Sequence, residues 1–197
     1  GGRGLGSMAI LNADHPNIEE FINSKDDLTS ITHYNISVGA TDRFMKAVKA
    51  DNDWDLIDPH DGHVYKTVKA RELFEKIAKH AWTSGDPGMY FLDTAEKGNT
   101  TPSLGTMDAT NPCGEQPLIP FETCNLGHIN LSKFVKGFPL IADPELMTKE
   151  VSERLNSIDW EEMAKITKVA VRFLDDIIEI NHYPIKEIED MTKRTRN

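Results

Sequence analysis

Twice within the first fifty residues a short apolar run is followed by a helix-like stripe, and this repetition constrains the fold more than any other feature of the chain. Residues 8–11 are continuously apolar, as a buried strand requires. Pro16 suits the first turn of a helix, and Ile18, Phe21 and Ile22 supply that helix's apolar face. Residues 34–38 read as a second strand, Thr41 as a helix N-cap, and Phe44, Met45 and Val48 as a buried stripe. Strands separated by helices pair in parallel, so the expected fold class is α/β with a parallel sheet.

Further along, Asp61-Gly62 sits between strand-like runs at 54–57 and 64–68, a hairpin signal. An amphipathic helix follows through Leu73, Phe74, Ile77, Ala78 and Ala81 and closes near Gly85. From 98 to 120 the helical period vanishes under glycine, proline, threonine and asparagine. A loop of that length within a compact domain is usually functional. Residues 124–135 read as a strand leading into a turn. A long helix then starts near Asp159, with Glu162 at capping-box spacing. Met163, Ile166, Ala170, Phe173, Leu174 and Ile177 form its apolar face, which the periodicity assigns to the core, and Pro184 ends it or opens a new turn.

Composition narrows the class. With 197 residues, 39% apolar and 27% charged, the chain can build one soluble domain or a large piece of one. A net charge of −10 argues against nucleic acid or an anionic membrane as the main partner. Two cysteines, Cys113 and Cys124, are too few for a disulfide scaffold and favour a reducing cytoplasm. The sequence shows neither a transmembrane-length apolar stretch nor a signal peptide. Residues 1–7 read equally as a native glycine-rich loop or as a tag before a start methionine. The abrupt stop at Lys193-Arg194-Thr195-Arg196-Asn197 suggests a segment of a longer protein.

Chemistry concentrates in Asn111-Pro112-Cys113-Gly114-Glu115. In an extended loop, side chains two apart point the same way, so an amide, a thiol and a carboxylate would share one surface. A thiol can act as nucleophile or radical carrier, a carboxylate as general base, and an amide can orient a hydroxyl. Pro112 restricts the backbone and Gly114 permits close approach. On residue types alone, a single loop cysteine is more often a small buried hydrophobe than a catalyst. Cys113, Cys124 and His128 could supply three zinc ligands, but the usual CxxC pair and a clear fourth ligand are lacking, and no metal is expected. His15, His33, His60, His63, His80 and His182 are scattered and read as surface or capping residues.

Asn111-Pro112-Cys113-Gly114-Glu115-Gln116-Pro117-Leu118 resembles the finger-loop motif of ribonucleotide reductases. Glu122-Thr123-Cys124-Asn125-Leu126-Gly127-His128-Ile129-Asn130-Leu131-Ser132 is similar to the strand that follows it in that family. Tyr34-Asn35-Ile36-Ser37-Val38 with Thr41-Asp42-Arg43-Phe44-Met45 looks like a barrel strand and helix of the same enzymes. Ala170-Val171-Arg172-Phe173-Leu174-Asp175, Tyr183-Pro184 and Thr192-Lys193-Arg194-Thr195-Arg196 look like the helix before the next barrel strand. The likeness spans nearly the whole chain in the family's order. The form of the cysteine motif is typical of the adenosylcobalamin-dependent class.

The resemblance implies part of a ten-stranded α/β barrel over 8–197, with a central finger loop at about 98–123. It implies that Cys113 carries a thiyl radical that abstracts hydrogen from ribose C3′. Glu115 takes the 3′-hydroxyl proton, Asn111 holds the ribose hydroxyls, and Cys124 is one of a redox-active thiol pair whose partner is expected upstream of Gly1. Adenosylcobalamin is the implied cofactor, with contacts the sequence does not identify, and an external thiol, in the cell a thioredoxin-like protein, is the reductant. The substrate is a ribonucleoside di- or triphosphate. A nucleotide effector and a homodimer are further implied partners, and Gly1-Gly2-Arg3-Gly4 is loosely similar to the family's effector-linked loop.

Three alternatives stand beside this reading. One is the large subunit of an iron- or manganese-dependent reductase. Another is a non-catalytic module that keeps the fold, although it would have no physical need for Asn111, Cys113 and Glu115 together. A dinucleotide-binding dehydrogenase needs glycines after its strand and an acidic residue about 20 positions on; Gly2, Gly4 and Gly6 precede the strand instead.

Overall fold

The structure is a computed structural model that describes residues 6–27, 29, 31–135 and 157–196. Two compact units are present, Gly1–Glu122 and Thr123–Asn197. Gly1-Gly2-Arg3-Gly4 lies outside the described residues.

The first unit runs β1 (Ser7–Asn12), α1 (Ile18–Asn23), β2 (Tyr34–Ala40), α2 (Asp42–Ala50), β3 (Asp53–Ile57), β4 (Val64–Lys69), α3 (Ala70–Ser84), β5 (Gly88–Phe91) and α4 (Leu92–Lys97). The strand-helix repetition gives the expected parallel sheet, in the order β1-β2-β5. Local chemistry sets the element ends. Thr41 is extended, and its hydroxyl accepts the Phe44 N–H at 3.1 Å, which satisfies one of α2's free donors. Gly85 closes α3 at φ 86°, a left-handed conformation that a side chain would strain. The helix stripes converge on one core. Ile18 and Ile22 of α1, Phe44, Ala47 and Val48 of α2, and Leu73 and Ile77 of α3 pack with Val38, Ala40, Trp54 and Leu56. Phe44 meets Trp54 edge-on, with ring centroids 5.1 Å apart. Burying each large apolar side chain contributes roughly 1.5–3 kcal/mol.

Register divides the sheet into two unlike faces. Met8 lies opposite Asn35, Ile10 opposite Ser37, and Asn12 opposite Gly39; Ser37 pairs with Gly88, and Gly39 with Tyr90. Strand side chains alternate, so Ile36, Val38 and Ala40 lie on the helix side. Asn35, Ser37, Gly39, Gly88 and Tyr90 lie on the other. Space on that second face is tight: a Cβ at Gly39 would come 2.5 Å from Asn12 Oδ1.

The Asp61-Gly62 hairpin forms as expected. β3 and β4 pair antiparallel, Gly62 takes φ 75°, and the Asp58 and Asp61 carboxylates accept the N–H groups of His60 and His63. Helix α1 starts two residues after Pro16, because the His15 ring accepts the Asn17 N–H and holds a turn there. The sequence reading passed over β5 and α4. Four residues bounded by Pro87 and a helix carry no period of their own, and β5 exists because β2 offers it an edge. Residues 98–120 are not wholly irregular either: β6 (Ala109–Thr110) and β7 (Pro117–Leu118) form a short antiparallel hairpin inside them.

The second unit holds a 3-10 turn at Leu131–Phe134, α5 (Trp160–Ile180) and α6 (Lys186–Arg196). Asp159 caps α5 as its spacing with Glu162 predicts, accepting the Glu162 N–H at 3.1 Å. Arg196 joins α6 back to α5 through a two-pronged pair with Asp175, both contacts 2.8 Å, and a further pair with Glu179. The Arg196 guanidinium hydrogen-bonded to Asp175 holds its carboxyl below the usual carboxylate range.

Two expectations fail here. Residues 124–130 form no strand; chain 123–130 lies along α5 instead, with Asn125 donating to the Leu174 carbonyl and Gly127 against the Leu174 side chain. Asn130 then accepts the Ser132 N–H and turns the chain into the 3-10 segment, a local bond that competes with ladder pairing. The apolar face of α5 is not core: none of its residues is buried, and Phe173 is 64% exposed. Within this unit chain 123–130 and α6 reach only the Leu174 and Ile177 end of the stripe, while Ile166 and Phe173 stand exposed. Among the described residues the parallel sheet has three strands and no closed barrel.

Candidate active site

Cys113 sits at the tip of the β6–β7 hairpin, inside the predicted loop. The tip is not extended, as the alternation argument assumed. The Gly114 N–H donates to the Asn111 carbonyl at 3.0 Å, so Pro112 and Cys113 occupy the centre of a tight turn. The residue types explain it. Proline presets φ for the second turn position, and Gly114 takes φ 82° with nothing within 4 Å of where its Cβ would lie. Asn111 closes the turn with its own side chain: Oδ1 accepts the Gln116 N–H at 3.0 Å, and its backbone N–H donates to the Gln116 carbonyl at 3.3 Å. Asn111, Cys113 and Glu115 are therefore brought together by a hairpin, with Cys113 and Glu115 exposed and Asn111 half-buried. The Asn111 oxygen already holds one partner, so its NH₂ is the group free to meet a ligand acceptor.

Four residues that sequence reasoning missed hold this loop. Tyr90 on β5 donates its hydroxyl to the Met107 carbonyl at 2.8 Å. The Glu96 carboxylate accepts the Met107 N–H at 2.9 Å and the Asn99 amide at 3.2 Å; Asn99 also donates to the Gly105 carbonyl. Burial, with Asp108 and Glu96 nearby, raises the Tyr90 pKa and keeps the phenol a donor. These bonds flank α4: Tyr90 stands just before it, Glu96 in its last turn and Asn99 beyond its end. At the other end, Asn35 at the start of β2 donates to the Pro112 carbonyl at 2.6 Å. Between them β6 lies against β1. The loop thus crosses the polar face of the sheet, from the strands' C-terminal ends towards their N-terminal ends. Strand alternation could have flagged Asn35 and Tyr90, had β5 been recognised.

Cys124 belongs to the second unit. It is exposed, as is Cys113, and both thiols are free. It lines a groove with Thr123, Ile177, Tyr183 and Thr192, floored by a 2.8 Å hydrogen bond between the Thr123 and Thr192 hydroxyls. Among the described residues, no group of three or more His, Cys, Asp or Glu is placed to hold a metal ion, and no helix is long and apolar enough to cross a membrane.

The fold and hairpin together define a parallel α/β domain that carries a free thiol and a carboxylate on a loop braced across its sheet. The family model for the ribonucleotide reductase barrel domain matches residues 1–197. A vitamin B12-dependent ribonucleoside-diphosphate reductase of Mycobacterium tuberculosis is 40% identical over all of this chain and 26% of its own length. Its namesake in Thermoplasma acidophilum is 41% identical over 24% of its length. A vitamin B12-dependent ribonucleotide reductase of Streptomyces avermitilis is 30% identical over 98% of this chain. The chain belongs to the ribonucleotide reductase barrel-domain family, and it spans about a quarter of the curated relatives it matches.

Proposed function

We propose that this chain is the finger-loop segment of an adenosylcobalamin-dependent reductase that converts ribonucleoside diphosphates to deoxyribonucleotides in the cytoplasm, for DNA synthesis. The observation that carries the reading is the hairpin, which presents Asn111, Cys113 and Glu115 at one tip and is tied to the sheet at both ends. The names of the relatives support the cofactor and the diphosphate. On this reading the remaining strands of a ten-stranded barrel come from other parts of the full protein and surround the loop.

The residues present fit the cofactor's task, because the Cys113 thiol is free and exposed beside a glycine with open space around it. Bound adenosylcobalamin supplies the initial radical. Cys113, as a thiyl, removes hydrogen from ribose C3′ and becomes a thiol. Glu115 takes the 3′-hydroxyl proton while Asn111 donates to a ribose oxygen and fixes the ring. The 2′-hydroxyl leaves C2′ as water on a proton supplied by the redox thiol pair. Two thiols then supply two electrons and are oxidised to a disulfide, after which the C3′ hydrogen returns and Cys113 is a thiyl again. Cys124 is one of the two. With Cys113 occupied by the radical, the other thiol lies outside these 197 residues. A thioredoxin-like protein re-reduces the pair. A nucleotide effector and a second copy of the chain complete the regulated enzyme. Positioning thiol and ribose in contact removes the entropy of encounter.

Product analysis of three variants in the full-length protein tests this. Cys113→Ser abolishes turnover, because an alcohol O–H bond is too strong to serve as radical relay. Glu115→Gln lowers the rate by about 10²–10⁴. Cys124→Ser leaves radical formation intact, and substrate breakdown replaces clean reduction. Multiple turnovers by Cys113→Ser would sink the proposal.

A further inference from the structure

We propose that Asn35 is a positioning residue for the reaction, acting through the peptide that carries Cys113. This rests on the reading of Cys113 as the radical residue. The Asn35 amide donates to the Pro112 carbonyl at 2.6 Å, and that carbonyl belongs to the peptide unit whose nitrogen is Cys113's own. Fixing this plane fixes where the Cys113 Cα stands, and the turn closed by the Gly114–Asn111 bond then limits the direction of its Cα–Cβ bond.

The tip moves as one piece. Asn111 exchanges backbone and side-chain bonds with Gln116, and Gly114 bonds back to Asn111. A hold on Pro112 is therefore a hold on Asn111, Cys113 and Glu115 together. Among the described residues, Asn35 makes the side-chain hydrogen bond that joins the sheet to 111–116. The bonds from Tyr90 and Glu96 grip Met107, on the far side of β6, and leave the tip free to swing about the two-residue strands. Strand register puts Asn35 in its place. It shares a face with Ser37 and Gly39, while Ile36 and Val38 beside them are sunk in the core, so the backbone beneath the amide is rigid.

Asn35 faces neither the core nor a helix, so its loss should cost geometry at the tip instead of the fold. The decisive variant is Asn35→Asp in the full-length protein, which keeps the side chain's size but replaces the donor with an oxygen that the Pro112 carbonyl repels. Asn35→Ala is its companion. Three readouts are taken: kcat and KM, amide hydrogen exchange across 110–118, and exchange across β1, β2 and β5. The expected result is a 10- to 100-fold fall in kcat for both variants with KM within about twofold, since a displacement of about 1 Å at a reacting group can cost 10²-fold. Exchange at 112–116 rises while exchange in the sheet stays as it was. The proposal is overturned if Asn35→Asp behaves as the parent, if kcat falls with no change in exchange at the tip, or if exchange rises throughout the sheet. Retained turnover by Cys113→Ser would remove the reading beneath it, yet leave the exchange result standing as a statement about the loop.

Discussion

In the unit Gly1–Glu122 the apolar stripes of α1, α2 and α3 vanish into one cluster, with Ile18, Phe44 and Leu56 at 0% exposure. In the unit Thr123–Asn197 the stripe of α5 is as regular and none of its residues is buried. The two regions carry the same kind of signal and differ in what meets it. Helices α1, α2 and α3 pack with the parallel sheet and the β3–β4 hairpin in one cluster, because the connections from β1 to β2 and from β2 to β5 lay them there. Helix α5 has no neighbouring strand pair among the described residues. Periodicity identifies which side chains share a face; whether that face is buried depends on a second surface that the helix's own sequence does not encode.

Substitutions can break this contrast. The largest effect is expected at Phe44→Ala, which opens a cavity against Trp54 and should destabilise the chain by about 3–5 kcal/mol in denaturant unfolding. Phe173→Ala removes the same side chain from α5 and should change stability by less than about 0.5 kcal/mol. Equal losses would mean that the two faces are buried alike.

Smaller effects sharpen the comparison at the polar contacts. Tyr90→Phe leaves the Met107 carbonyl without its donor and should cost about 1 kcal/mol. Its pH signature is on the alkaline side. The folded pKa is raised, so Tyr90's contribution is complete below the unfolded value near 10.0 and declines as pH rises through the folded value; Tyr90→Phe should flatten that decline. The smallest effect is expected at Asp175→Asn, where the groups are open to solvent and salt screens them. The Asp175 carboxyl is depressed by Arg196, so its contribution is present above the unfolded value near 3.8 and disappears as pH falls through the folded one. The difference between Asp175→Asn and the parent should shrink on acidification, as thermal melts would record.

Much of the first unit was legible. The strands at 8–11 and 34–38, the Thr41 cap, the Asp61-Gly62 hairpin and the Gly85 stop were each visible because a short-range rule produces them. Strand β5 was hidden because four residues become a strand only through β2, whose register partner Ser37 lies 51 positions before Gly88. Residues 124–130 misled in the opposite way: their composition suits a strand, but Asn125 donates to the distant Leu174 carbonyl and Asn130 accepts the nearby Ser132 N–H, and no ladder forms. At the candidate site, Asn111, Cys113 and Glu115 stood out by type and motif. The turn that gathers them follows from Pro112 and Gly114, whose combined effect the alternation argument overlooked. Asn35 and Tyr90 stayed unread because strand β5 carries no period of its own, and Glu96 and Asn99 because no sequence rule marks a side chain that bonds the backbone of an irregular loop.

The register of β1, β2 and β5 also sets an order of events. β2 and β5 close a long stretch of intervening chain, and such distant pairings form late in folding. The hairpin's grips at Asn35 and Tyr90 stand on opposite sides of that junction, on β2 and β5. Until the two strands meet, the thiol has no fixed address. In an unfinished chain Cys113 therefore rides on an unbraced loop, and its position is fixed only when β2 and β5 pair. Pulse-labelling during refolding should show amide protection at 112–116 appearing no earlier than protection in β5.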